Sequence, residues 1–349
     1  MGSRKLLLFI MLFVVIAAAL LVVYQNSQYI NKAPVHRDNS SLVFSTGLST
    51  PKSYNFEQIQ PLPLEVILPL EKVNLGSLLF HDKTLSKNNT ISCASCHELS
   101  KAGTDKKPVS TGINGATGLL NSPTVFNSGF SFAQFWDGRA ATLEEQVSGP
   151  VHNPIEMGSD WTEIILKLRA HNDYQNLFSK IYSDGISINN IVDAIVTYER
   201  SLITPNARFD RSLRGEKDVL TADELQGYQL FKAYGCISCH QGINIGANMF
   251  QRFGVFGGYF NNKAITQSDL GRYNITGLEE DRYVFKVPSL RNIAVTAPYL
   301  HDGSVTTLEK VVEIMGRYQL GRQLPEEDIH LLVSFLQTLT GQWQGELLQ

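Results

Sequence analysis

Cys93-Ala-Ser-Cys96-His97 and Cys236-Ile-Ser-Cys239-His240 use all four cysteines of this 349-residue chain in two copies of one pattern. In Cys-x-x-Cys-His the two thiols can add to the vinyl groups of a haem while the adjacent imidazole binds iron, so the spacing holds one edge and one face of the macrocycle. Zinc ribbons place their cysteine pairs close together, whereas these pairs stand well over a hundred residues apart. A thioredoxin-like pair calls for a βαβ context, and sustained period-two runs are scarce here. The chain therefore reads as carrying two covalent haem c groups, held by Cys93, Cys96 and His97 and by Cys236, Cys239 and His240.

Outward from the motifs, apolar residues recur three or four apart. Ile164, Ile165 and Leu168, then Tyr174, Leu177, Phe178 and Ile181, fall on helical faces from Trp161 onward, and Ser187 can cap a helix with Ile191, Ala194, Ile195, Tyr198 and Leu202 on one stripe. Thr221 with Glu224 makes a capping box for a helix to about Tyr234, which Gly235 ends. A last helix starts near Pro325, buries Ile329, Leu332, Phe335, Leu336 and Leu339, and stops at Gly341. Gly76-Ser-Leu-Leu-Phe80 before the first motif echoes Gly227-Tyr-Gln-Leu-Phe231 before the second. The expectation is a mainly α chain of two cytochrome c-like haem domains with long loops, spanning 56–205 and 206–349.

Arg4 and Lys5 precede an apolar stretch from Leu6 to Tyr24, which as a helix of ~1.5 Å per residue would span roughly 28 Å, close to one bilayer crossing. Ala17 to Ala19 lie inside that stretch rather than at its end, which favours an uncleaved anchor over a signal peptide. Positive charge before the stretch puts the rest outside the cytoplasm, in the periplasm on the inner membrane. Residues 25–55 show no helical or strand period and read as a tether. Thirty basic against 33 acidic residues give a formal charge of −3, which excludes the polycationic surface of a nucleic-acid binder.

Two strong axial ligands suit an iron to electron transfer, while an open position admits peroxide. For the sixth positions the residues alone leave His81, His152, His171, His301 and the methionines as candidates. Longer stretches narrow this. Leu119-Leu-Asn-Ser-Pro-Thr-Val-Phe-Asn127, Gln134-Phe-Trp-Asp-Gly-Arg-Ala140, Gln146, Gly149-Pro150 and Asn153-Pro-Ile-Glu-Met157 resemble the N-terminal domain of bacterial dihaem cytochrome c peroxidases. Phe285-Lys-Val-Pro-Ser-Leu-Arg-Asn292, Thr296-Ala-Pro-Tyr-Leu-His301 and Ile314-Met-Gly-Arg-Tyr-Gln-Leu-Gly321 resemble the C-terminal domain.

The resemblance implies that His97 is the proximal ligand of a peroxidatic haem with Gln146 and Glu156 over its distal face, Glu156 serving as acid-base group. It implies Met315 as second ligand opposite His240, Trp136 as the aromatic ring between the haems, and Asn121, Thr296 and Pro298 as an inter-domain calcium site. Without the resemblance Met315 reads as part of an apolar stripe with Leu308, Val311 and Val312, and Glu156 as a solvated carboxylate. The implied reaction is reduction of hydrogen peroxide with electrons from a small donor, a cytochrome c or a cupredoxin; a dimer is common in that family. One position departs: after Ser110-Thr-Gly the common pattern has a histidine that caps the peroxidatic haem at rest, and this chain has Ile113 and Asn114. Unless His81 or His152 swings in, that haem is open. The rival readings are a relative of the dihaem oxidase that matures a tryptophylquinone in a partner protein, which has Tyr at the position of Met315, and a membrane-anchored electron carrier.

Overall fold

Helix starts follow the capping side chains. The computed structural model describes residues 57–349, so the apolar stretch 6–24 and the tether 25–55 lie outside the described residues. The Ser187 hydroxyl accepts from the Asn190 amide, and Thr221 and Glu224 form the reciprocal box, each side chain accepting from the other's backbone. The longer helices are α1 (Leu70–His81), α2 (Leu143–His152), α3 (Trp161–Arg169), α4 (Asn172–Ile181), α5 (Ile188–Ser201), α6 (Ala222–Ala233), α7 (Leu308–Ile314) and α8 (Glu326–Gln337). Strand is confined among the described residues to two short antiparallel pairs, Phe250–Arg252 with Val284–Lys286 and Gln342–Trp343 with Glu346–Leu347. The fold is mostly helical, and among the described residues no helix is long and apolar enough to cross a membrane.

The Gly76/Gly227 echo has one physical cause. A Cβ on Gly76 would lie 1.9 Å from the Ala194 carbonyl oxygen, and one on Gly227 would lie 2.0 Å from that of Leu331. Each glycine thus lets a helix before a Cys-x-x-Cys-His motif touch the backbone of its crossing partner, α1 on α5 and α6 on α8. No side chain fits at either crossing. Around the first, Leu75, Leu79, Ile164, Leu168, Phe178, Ile191 and Ile195 form one buried cluster; around the second, Phe209, Tyr228, Phe231, Leu332, Phe335 and Leu336 form another.

The last helix ends four residues earlier than expected, at Gln337, with Thr338 as its cap. Gly341 answers to a different constraint: a Cβ there would sit 2.0 Å from the Thr204 carbonyl oxygen. The glycine marks a close backbone approach, and Leu339 is buried outside the helix. Leu348 then packs with Phe80, Val125, Phe126 and Tyr198, so the C-terminal residues close part of the first half's core.

Candidate functional site

Both Cys-x-x-Cys-His motifs open on one cavity of about 960 Å³, at the upper end of the roughly 300–1,000 Å³ usual for ligand sites. Cys93, Cys96 and His97 line it, as do Cys236, Cys239 and His240. No disulfide joins the four cysteines, and burial pushes Cys93 up to about 12, Cys236 up to about 11 and Cys96 upward. Such thiols resist becoming thiolates, but a thioether carries no charge and loses nothing by burial.

The imidazoles are equally matched to haem iron. His97 Nδ1 lies 3.3 Å from the Gly103 carbonyl oxygen and His240 Nδ1 lies 3.3 Å from that of Ile245. A carbonyl only accepts, so Nδ1 carries the proton and Nε2 keeps its lone pair for a metal. Burial pushes both rings down, His240 to about 4, which keeps them neutral as metal ligands must be. Two further cavity-wall atoms, Ser128 Oγ and Glu199 Oε2, are buried with no hydrogen-bond partner. The donor set and these orphaned atoms fit two haem c groups.

Near the first motif, Glu156, Gln146, Asn153 and Arg139 share the wall. Glu156 is not a solvated loop carboxylate: burial raises its pKa against the opposing Arg139 charge and the amide of Asn153, which donates to Oε1 at 2.7 Å. It is also close enough to Cys96 to raise that thiol. The loop that follows Ser110-Thr-Gly is pinned by the Ile113 amide donating to the Glu156 carbonyl oxygen at 2.9 Å. Ile113 is buried with its Cδ1 against Gly158, and it does not line the cavity. His81, exposed at the end of α1, bonds back to the Ser77 carbonyl at 2.8 Å, and His152 is exposed with its ring 6.1 Å from that of Trp161. Neither lines the cavity; among the described residues His97, His240 and His301 are the histidines that do.

At the second motif, Met315 opens a π-helical turn, Met315–Gln319, directly after α7. Such turns are rare and gather at functional sites. Leu308, Val311 and Val312 line the same cavity as Met315, so the apolar stripe and the ligand position are one surface. Trp136 also lines the cavity; its indole N–H donates to the Asn121 carbonyl oxygen at 2.9 Å. Asn121, Thr296 and Pro298 are on the wall as well, and the Asn121 amide nitrogen donates to the Lys107 carbonyl at 3.0 Å. His301, open as an iron ligand on sequence grounds, is buried and bound through Nε2 to Asp269 Oδ1 at 2.8 Å, with its ring centroid 6.5 Å from that of Trp136.

Comparison with known proteins agrees with this geometry. Residues 70–218 match the family described as di-haem cytochrome c peroxidase. A cytochrome c551 peroxidase of Nitrosomonas europaea is 46% identical over 82% of this chain and 84% of its own length. The chain belongs to the di-haem cytochrome c peroxidase family. The cytochrome c peroxidase Ccp of Escherichia coli is 48% identical over 84% of this chain, which spans 63% of that relative's length. Among solved structures, a MauG-like protein associated with microbial copper homeostasis superposes with a TM-score of 0.72 at 32% identity, covering 84% of this chain and 95% of that one.

Within this member of the di-haem cytochrome c peroxidase family, the structure adds features that residue patterns did not bring out. Pro123-Thr-Val-Phe-Asn127 and Pro288-Ser-Leu-Arg-Asn292 share a Pro-[Ser/Thr]-x-x-Asn spacing, and the carbonyls of Pro123 and Pro288 face His97 and His240. Asn127 and Asn292 both take left-handed backbone, at φ 62° and 61°, before a short 3₁₀ turn. Glu199 is a buried carboxyl on the cavity wall, pushed up to about 8 by burial and by Glu144. Its signal was its position four after Ile195, a charge on the buried stripe of α5.

Proposed function

We propose that this chain is a dihaem c-type peroxidase that reduces hydrogen peroxide to water with electrons from a small redox protein, a cytochrome c or a cupredoxin. A haem held by Cys236, Cys239, His240 and Met315 in the C-terminal half, residues 206–349, would supply electron entry, and one held by Cys93, Cys96 and His97 in the N-terminal half, residues 56–205, would supply peroxide reduction, with Trp136 as the aromatic ring between them. The observation that carries the reading is the single cavity walled by both motifs, with a half-buried carboxyl of raised pKa beside the first and a methionine-headed π turn beside the second. Bound at these sites, the haems supply the iron that takes up, stores and hands over electrons.

The chain's own residues supply the proton chemistry. Peroxide cleavage needs a proton moved from the inner to the outer oxygen, with two electrons and two protons consumed for two waters. Glu156 does this: burial raises its affinity for the proton, and the Asn153 amide fixes which oxygen remains free. Gln146 is the neutral hydrogen-bonding partner for the second peroxide oxygen. Ile113, packed on Gly158, offers no donor atom to cap a haem held by His97, which would leave that haem free to take peroxide without prior reduction.

Met315 favours the peroxidase over the tryptophylquinone-maturing oxidase, which has Tyr at that position. A plain carrier would leave a cavity-wall carboxyl of raised pKa without a task. The remaining readings are a calcium ion held by Asn121 and the carbonyls of Thr296 and Pro298, a periplasmic site of action with the stretch 6–24 as inner-membrane anchor, and a homodimer. The deciding experiment is electron paramagnetic resonance of the fully oxidised protein followed by stopped-flow mixing with peroxide. One high-spin and one low-spin haem with immediate reaction is expected. A wholly low-spin, unreactive protein would rule out the open site.

A further inference from the structure

A cation stands on the cavity wall with no anion to answer it. Lys286 lies on the strand Val284–Lys286 and lines the cavity, its backbone N–H donating to the Trp136 carbonyl oxygen at 2.8 Å. Burial pushes its ammonium down to about 8. The one charge that favours the protonated form is Asp137, and both Asp137 oxygens are engaged by the Arg139 guanidinium at 3.0 and 2.9 Å. The deeply buried cation on the wall, Arg291, has its own partner in Asp210 at 2.6 Å, whereas Lys286 is half-buried. Among the described residues no ion pair or side-chain hydrogen bond engages Lys286. A charge taken out of water without a partner costs several kcal/mol by general experience, so the fold retains one where a ligand supplies the opposite charge.

The ligands proposed for this cavity carry such charges. Each haem has two propionates, and of the cations on the wall Arg139 and Arg291 are already paired, with Asp137 and Asp210, whereas Lys286 is not. Resting on the two-haem reading, we propose that Lys286 binds a propionate of one haem next to Trp136 and, through its charge, sets that haem's reduction potential. A cation held there stabilises the ferrous over the ferric state, because reduction removes one positive charge from the iron. Lys286 is thus a positioning residue for the electron path rather than a group that touches peroxide. Its backbone bond to Trp136 ties the strand that carries Lys286 to the segment that carries the ring by which electrons cross.

The test is a spectroelectrochemical titration of both haems in wild type, Lys286→Gln, Lys286→Met and Lys286→Arg, each first assayed for two covalent haems. In the Gln and Met variants one haem's potential should fall by about tenfold in its reduction equilibrium constant, or ~59 mV for one electron. The other should stay near its wild-type value, and Arg should restore most of the loss. A purely structural lysine would shift the melting temperature without a selective change in potential. Unchanged potentials in both neutral variants, with two haems bound, would overturn the proposal. A wild type that carries fewer than two haems would instead overturn the two-haem reading beneath it.

Discussion

Asn127 and Asn292 meet at one hydroxyl: their side-chain amides donate to Thr204 Oγ1 at 2.7 and 3.1 Å. Asn127 returns an acceptor to the Thr204 amide at 3.0 Å, and Asn292 accepts from the Gly341 amide at 3.0 Å. The two asparagines close equivalent Pro-[Ser/Thr]-x-x-Asn segments, each just after a carbonyl that faces a motif histidine. Thr204 therefore ties the segment behind His97 to the one behind His240.

Thr204→Val keeps the shape and deletes that hydroxyl. Thr204 and both asparagines are at most 1% exposed, so the amides it served are left without a partner in the interior. An unsatisfied buried polar group costs about 1–3 kcal/mol. The expected result is a clear drop in the urea midpoint with haem content unchanged. An unaltered midpoint would show that the asparagines find other acceptors.

Caps were legible before the structure because their causes are local. Ser187, Thr221 with Glu224, and Gly235 each act on atoms a few residues away, and each helix end they mark is found. Gly341 was misread because its partner, the Thr204 carbonyl, is 137 positions distant and no local pattern records it. Met315 looked ambiguous for a related reason. An apolar stripe that faces a haem cavity has the same period as one that faces a core, and only the chain folded back on itself tells them apart. Lys286 and Glu199 stayed hidden because a charge beside a cavity and a charge in solvent are the same letter.

Glu156→Gln keeps the size and the contact with Asn153 but cannot carry the proton. Positioned acid-base groups contribute typically ~10²–10⁴-fold, so turnover with peroxide should fall by that order while both haem spectra persist. The pH profile adds a second check. Accepting a proton needs the carboxylate, and burial raises its pKa above the usual 4.5, so the acid limb of wild type should lie above that of an ordinary glutamate. The Gln variant should lack this limb. A variant that keeps both turnover and limb would move the acid-base role elsewhere.

Met315→His replaces a thioether with a stronger donor that stabilises ferric iron. The potential of the C-terminal haem should fall markedly, and turnover with a cytochrome donor should fall with it. The π turn Met315–Gln319 is held by its own bonds, Arg322 N to the Gly316 carbonyl at 2.8 Å among them, so the side chain at this position should stay on the cavity wall. Potentials of both haems that stay where they were would leave Met315 as packing only.

Glu199 makes the stability of the protein depend on pH in a direction opposite to that of a salt-bridged acid. Its folded pKa of about 8 stands above the ordinary 4.5, raised by burial and by Glu144, while Arg200 opposes the rise. Arg200 is itself paired with Glu144 at 2.7 Å, which limits what it offers Glu199. Between those two values the folded chain holds a proton that the unfolded chain has lost. The stabilisation is full below about 4.5 and disappears as pH climbs towards 8, at a slope of at most about 1.4 kcal/mol per pH unit. Glu199→Gln removes the titration, so the variant should gain on wild type steadily from pH 5 to pH 8 in urea unfolding of the haem-loaded protein. Two curves that run parallel across that range would show that Glu199 meets a compensating cation once the cavity is filled.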